Sequence, residues 1–174
     1  AAAFEGATPL AVTVIVVRAP WLLSAALALH LTVALILPAA TAAPELIRAP
    51  NGRPVMARML GREDLAREIA AAAREAGVSA IVADNRGILS DLLYTLRDAD
   101  LAIHAPPPAG APGNHFEMAV PLPPALGRDA LVVTAGAAPP ALPGLRIGPE
   151  VARWTPADGF FARRTLTAYR ATPE

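Results

Sequence analysis

Residues 62–105 read REDLAREIAAAAREAGVSAIVADNRGILSDLLYTLRDADLAIHA. Leu65, Ile69, Ala72 and Ala76 recur at helical spacing and predict a helix over residues 62–76. Glu63 and Asp64 suit its positive first turn, and Gly77 suits the position just past its end. VSAIVA, residues 78–83, reads as a short buried strand. Asp84 or Asn85 can then cap a second helix that carries Ile88, Leu89, Leu92, Leu93 and Leu96 on one side. It ends near Arg97 and Asp98, and residues 101–105 form another strand. Helix–strand–helix–strand with short connections is the pattern of a parallel, right-handed α/β unit.

Downstream, PPPAGAPG at 106–113 reads as an extended low-complexity loop. Residues 115–122 then alternate: Phe116, Met118, Val120 and Leu122 point one way, His115, Glu117 and Ala119 the other. The pattern predicts a half-buried strand, with Pro121 placing its end at a sheet edge. ALVVTA at 130–135 is a further strand, AAPPALPG at 137–144 a second loop, and residues 145–151 and 160–172 are late strands. No repeat is visible.

Upstream, charge nearly vanishes. Residues 1–44 carry only Glu5 and Arg18, and no Arg, Asp or Glu stands between Arg18 and Glu45. Inside that gap residues 21–37 read WLLSAALALHLTVALIL. A bilayer core about 30 Å thick takes roughly 20 apolar residues as a helix. Residues 19–40 meet that requirement, with Pro20 suited to a first helical turn and Arg18 and Trp21 placed as interfacial anchors. A second apolar run, LAVTVIVV at 10–17, precedes it and reads as the end of another membrane helix. Arg18, Ala19 and Pro20 would then be the turn of a helical hairpin. The expected organisation is transmembrane helices over 1–44 and a soluble domain over 45–174. The fold class is α/β: a membrane helical hairpin followed by a small α/β domain with a mixed sheet. On this reading the chain is the C-terminal end of a longer protein. A competing reading stays open, in which residues 21–37 are a signal-peptide core and Ala40-Thr41-Ala42 a cleavage site. It leaves an exported or single-anchor binding domain without enzymatic activity.

Composition narrows the function. Of 174 residues 54% are hydrophobic and 17% charged, against about 25% charged in ordinary soluble domains. The 15 basic residues, all arginine, balance 15 acidic ones, so nothing draws the chain to nucleic acid electrostatically. Cysteine is absent, which removes thiol catalysis and Cys-ligated metal sites. There is no Gly-rich phosphate loop, no H-E-x-x-H and no G-x-S-x-G, and three dispersed histidines do not argue a metal site. No catalytic residue, metal ligand or cofactor is assigned.

The candidate binding residues are Asp84, Arg86, Tyr94, His115 and Glu117. Asp84 and Arg86 sit where a parallel strand ends and a helix begins, the edge at which open α/β sheets bind ligands. Arg86 beside a helix N-terminus suits an anion. His115 and Glu117 share a face on the expected strand and suit a polar ligand. A structural reading stands beside each: Asp84 and Asn85 as caps, Arg86 solvated, His115 and Glu117 on a wet strand edge.

Taken in order, the hairpin, RMLGREDLAREI at 58–69, IVADNRGILSDLLYTLR at 81–97 and GNHFEMAVPLP at 113–123 resemble the C-terminal end of bacterial polytopic glycosyltransferases of family 39. These are relatives of the protein O-mannosyltransferases and lipid A aminoarabinose transferases. The opening AAAFEGAT also resembles a late membrane helix of that family. The resemblance implies an inner-membrane enzyme whose C-terminal domain is periplasmic. It takes a sugar from a polyprenyl-phosphate donor and passes it to a lipid, glycan or protein acceptor. The partners implied are the lipid bilayer, that donor and an envelope glycan or lipid. The family's catalytic acidic residue lies in an early external loop outside these residues, so the fragment is expected to be inactive alone and to supply a lid or acceptor surface. Arg48, Arg53, Arg58 and Arg62 strain the periplasmic placement, because basic residues close behind a membrane helix favour the cytoplasm. Long domains cross regardless of charge, and the periplasmic placement is kept.

Overall fold

The computed structural model describes Val12, residues 16–108 and residues 110–174. The chain divides into two compact units that meet between Met56 and Ala57.

The first unit is dominated by α1, Pro20–Ala42, 23 residues with Pro20 at the first turn and Pro38 inside. At 1.5 Å per residue it is about 34 Å long, enough to cross a hydrocarbon core. It contains no charged residue, and Leu27, Leu29 and Leu35 are 69%, 63% and 65% exposed. Its polar side chains bond back to their own helix: Thr32 Oγ1 donates to Ala28 O, and His30 Nδ1–H to Ala26 O at 2.7 Å. Ala19 leaves the helical region at φ −146°, which separates α1 from the apolar run before it. Of that run, Val12 and residues 16–18 are helical. The rest of the expected hairpin's first arm lies outside the described residues. After α1 the chain turns into a small hairpin in which Arg48 pairs with Pro54.

The second unit is built on a five-stranded mixed sheet. Its elements are α2 (Arg62–Glu75), β1 (Ala80–Ala83), α3 (Arg86–Thr95), β2 (Ala102–His104), α4 (His115–Ala119), β3 (Ala130–Thr134), β4 (Leu145–Trp154) and β5 (Leu166–Pro173). The strand order is β2-β1-β3-β5-β4. β1 pairs parallel with β2 and β3, with Ile81 opposite Ile103 and Leu131; β5 runs antiparallel to β3 and β4.

β1 and β3 are buried at every position, as central strands covered on both faces must be. One face packs Leu65, Ile69 and Ala73 of α2 and Ile88, Leu89 and Leu92 of α3 against Ile81, Leu131 and Val133. The other face sets Val82 and Val132 beneath Leu122, Leu142 and Leu145. In α2 the buried stripe is Leu65, Ile69 and Ala73, with Ala72 and Ala76 only half-buried, so the core face is turned slightly from the sequence expectation. A partly buried ion pair ties the two helices: Arg62 Nε donates to Asp91 Oδ1 at 2.8 Å, and the guanidinium lies 4.6 Å from the Phe160 ring centre.

Two sequence expectations are corrected. Residues 115–122 are not a strand. Asn114 accepts hydrogen bonds from the amides of Phe116 and Glu117 and starts the short helix α4, leaving residues 120–122 to run beside β2 through the Ala105–Pro121 bridge. Helix capping by Asn114 overrides the alternation of residues 115–122. The last strand starts at Leu166 rather than at residue 160. Residues 160–165 turn instead, with Phe161 buried and Arg163 at φ 63°.

Candidate functional site

The parallel strands end together on one side of the sheet, and the chain reverses direction there. The β1–α3–β2 connection leads to one side of β1, and the return to β3 leads to the other, which makes β1 a switch point of the kind at which α/β sheets hold ligands. At that edge lies a cleft of about 310 Å³. It is lined by Asp84, Arg86 and Leu89 from the end of β1 and the start of α3, Pro106, Pro107 and Pro108 after β2, Asn114 and Glu117 of the α4 start, and Pro140 after β3.

Each polar side chain is held by a local device. Asn85 caps α3 by accepting from Gly87 N at 2.8 Å and Ile88 N at 3.3 Å. Capping therefore falls to Asn85 and frees Asp84. The Asp84 carboxylate reaches across to β3, where it accepts from Thr134 Oγ1 through Oδ2 and from Ala135 N at 3.3 Å through Oδ1. Thr134 is fully buried and its hydroxyl oxygen in turn accepts from Gly136 N at 2.9 Å. Asp84 thus clamps the mouths of β1 and β3 with part of its acceptor capacity left over. Glu117 is held the same way: Oε2 accepts from Gly113 N at 2.7 Å and Oε1 from the Asn114 amide at 2.5 Å. Together with the Asn114 cap this is a reciprocal arrangement akin to a capping box.

Arg86 is different. It is exposed, stands first in α3, and among the described residues takes part in no ion pair. Beside the positive end of α3 it is the group in the cleft best suited to an anion, while the two anchored carboxylates suit hydroxyls.

Of the five residues singled out by sequence, the structure brings Asp84, Arg86 and Glu117 to one cleft. Tyr94 is 74% exposed on the last turn of α3, about 12 Å along the helix from Arg86, with the Arg97 guanidinium 5.3 Å from its ring centre. His115 is exposed and leans on Phe116 with ring centres 6.0 Å apart, outside the cleft lining. The shared strand face expected for His115 and Glu117 does not exist, because α4 replaces the strand. Sequence reasoning missed Asn114, Pro140 and the three prolines as walls. The available signal was the position of Pro106, Pro107 and Pro108 just after β2.

Two partly buried titratable groups outside this lining are shifted chiefly by burial. Burial lowers the His104 imidazole below its ordinary 6.5; the Pro121 carbonyl opposes this and Arg128 adds to it. Burial raises the Asp91 carboxyl above 3.8 against the pull of Arg62. Among the described residues no three His, Asp or Glu side chains converge as a metal would need.

Over 171 residues, 98% of the chain, the sequence is 37% identical to the lipid A galacturonosyltransferase RgtD of Rhizobium johnstonii. The matched part is 35% of that protein, so the chain spans about a third of its relative's length. No family model and no solved structure matches the chain.

Proposed function

We propose that this chain is the C-terminal part of an inner-membrane glycosyltransferase of family 39 that moves a sugar from a polyprenyl-phosphate donor to a lipid acceptor of the lipid A class. Its α/β domain, residues 57–174, would be periplasmic. The observation that carries the reading is the 37% identity to a lipid A galacturonosyltransferase, which runs through the apolar helix and the α/β unit alike. The exposed 23-residue apolar helix supports a membrane setting. Ala40, Thr41 and Ala42 belong to that helix, which favours an anchor over a cleaved signal. In this reading the fragment contributes no catalytic group. The cleft of Asp84, Arg86 and Glu117 presents the acceptor's anionic and hydroxyl groups to the membrane part.

The test is transfer itself. Membranes containing the whole reading frame, given a polyprenyl-phosphate-linked sugar and lipid A, are expected to add one sugar residue by mass spectrometry. The 174-residue chain alone is expected to add none. In the whole protein Arg86→Ala is expected to raise the acceptor KM about tenfold, the loss of one charge-assisted hydrogen bond. No transfer by the whole protein, or transfer by the fragment alone, would overturn the proposal.

A further inference from the structure

The hairpin that follows α1 has features of a surface immersed in lipid rather than water. Leu46 is 75% exposed, Val55 59% and Ile47 37%. Ile47 and Val55 line an apolar groove of about 270 Å³ with Val33, Ile36 and Leu37 of α1. The groove runs from Thr32 to Ala40, about 12 Å along a helix that ends at Ala42. If α1 spans a bilayer, this hairpin therefore lies at headgroup and upper acyl depth.

Internal hydrogen bonds and prolines leave part of this irregular backbone with no polar group facing lipid. Pro44, Pro50 and Pro54 carry no N–H. The amides of Leu46, Ala49, Gly52 and Val55 donate to Ala43, Arg53, Ala49 and Ile47 carbonyls at 2.8–3.1 Å, and the Arg53 amide donates to Asn51 Oδ1. The exposed charge of residues 44–56 is net positive, Arg48 and Arg53 against Glu45 alone. Arg48 and Arg53 are exposed, and among the described residues neither is in an ion pair; Arg48 donates only to Gly52 O.

We propose that residues 44–56 form a docking surface for an anionic phospholipid of the surrounding bilayer, with Arg48 and Arg53 on its phosphate and an acyl chain in the groove beside Ile47 and Val55. The proposal rests on the membrane reading of α1 and goes beyond the transferase reading, since it concerns a structural lipid rather than donor or acceptor. It also accounts for arginines placed just behind a membrane helix without requiring a cytoplasmic domain.

The chain has no cysteine, so a single label site can be introduced cleanly. Leu46→Cys and Leu35→Cys, both at exposed positions, are spin-labelled in the full chain and reconstituted into vesicles of phosphatidylcholine alone or with phosphatidylglycerol. Accessibility to oxygen and to a water-soluble nickel chelate reports depth. The label at 46 is expected to be buried with phosphatidylglycerol and more hydrated without it. The added change Arg48→Gln with Arg53→Gln should lower its buried-to-exposed ratio about 25-fold, roughly fivefold per arginine at an anionic surface. The label at 35 should stay deep in every case. A label at 46 that ignores both lipid charge and the arginines, with 35 deep, overturns the lipid site alone. A hydrated label at 35 overturns the membrane reading and the lipid site with it.

Discussion

Gly159 shows how much one atom can matter in this fold. Its φ of +92° is outside the range other residues tolerate, and a Cβ there would stand 2.5 Å from Leu60 O. Gly159→Ala combines backbone strain with a clash against main chain, and is expected to cost about 3 kcal/mol, read as a fall in the urea midpoint. His104 makes the pH case. The unfolded imidazole takes a proton near 6.5, whereas the buried one holds out to lower pH. Between those two values the unfolded chain binds more protons, so stability falls as pH drops through 6.5 and levels below the folded value. His104→Leu should flatten that slope, seen by comparing urea midpoints of both chains at about pH 7.5 and about pH 5.5. Neither effect was legible in the sequence. A glycine before two phenylalanines and a histidine in a short strand acquire their meaning only from what folds against them.

At the scale of elements, capping chemistry decided more than periodicity did. Of the two helices of 62–105, α2 was readable because apolar spacing, acidic first turn and closing glycine all agreed, and α3 because apolar spacing agreed with an Asn85 cap. Residues 115–122 misled because alternation over a few residues is weak evidence, and an asparagine followed three residues on by a glutamate outweighs it. The candidate cleft was half legible for the same reason. Asp84 and Arg86 follow from strand–helix punctuation, while Asn114 and the proline wall needed α4 to be recognised. Two caps therefore carry distinct expectations. Asn85→Ala removes the acceptor for two α3 amides and should cost about 1 kcal/mol of global stability. Asn114→Ala removes the acceptor for two α4 amides and the amide that holds Glu117, in an element with no fully buried residue. Its effect should be local: faster amide exchange at residues 116–120 with the global midpoint shifted by less than about 1 kcal/mol.

At the scale of the whole molecule, the two units treat apolar surface differently. Both core clusters of the α/β unit are made, among the described residues, of residues from Leu65 onward. The 54% hydrophobic content, by contrast, is concentrated where α1 leaves nearly every side chain exposed. One average composition thus describes two ordinary parts, an apolar helix with exposed side chains and a domain with a sheet core. Residues 57–174 should therefore be soluble without detergent and unfold in one cooperative step. Their unfolding free energy should match that of the same unit in the detergent-solubilised full chain to within about 0.5 kcal/mol, the scatter expected for independent sites. Far-ultraviolet circular dichroism during urea titration of both proteins measures this. A truncated unit that aggregates or unfolds gradually would mean that its core needs the membrane part.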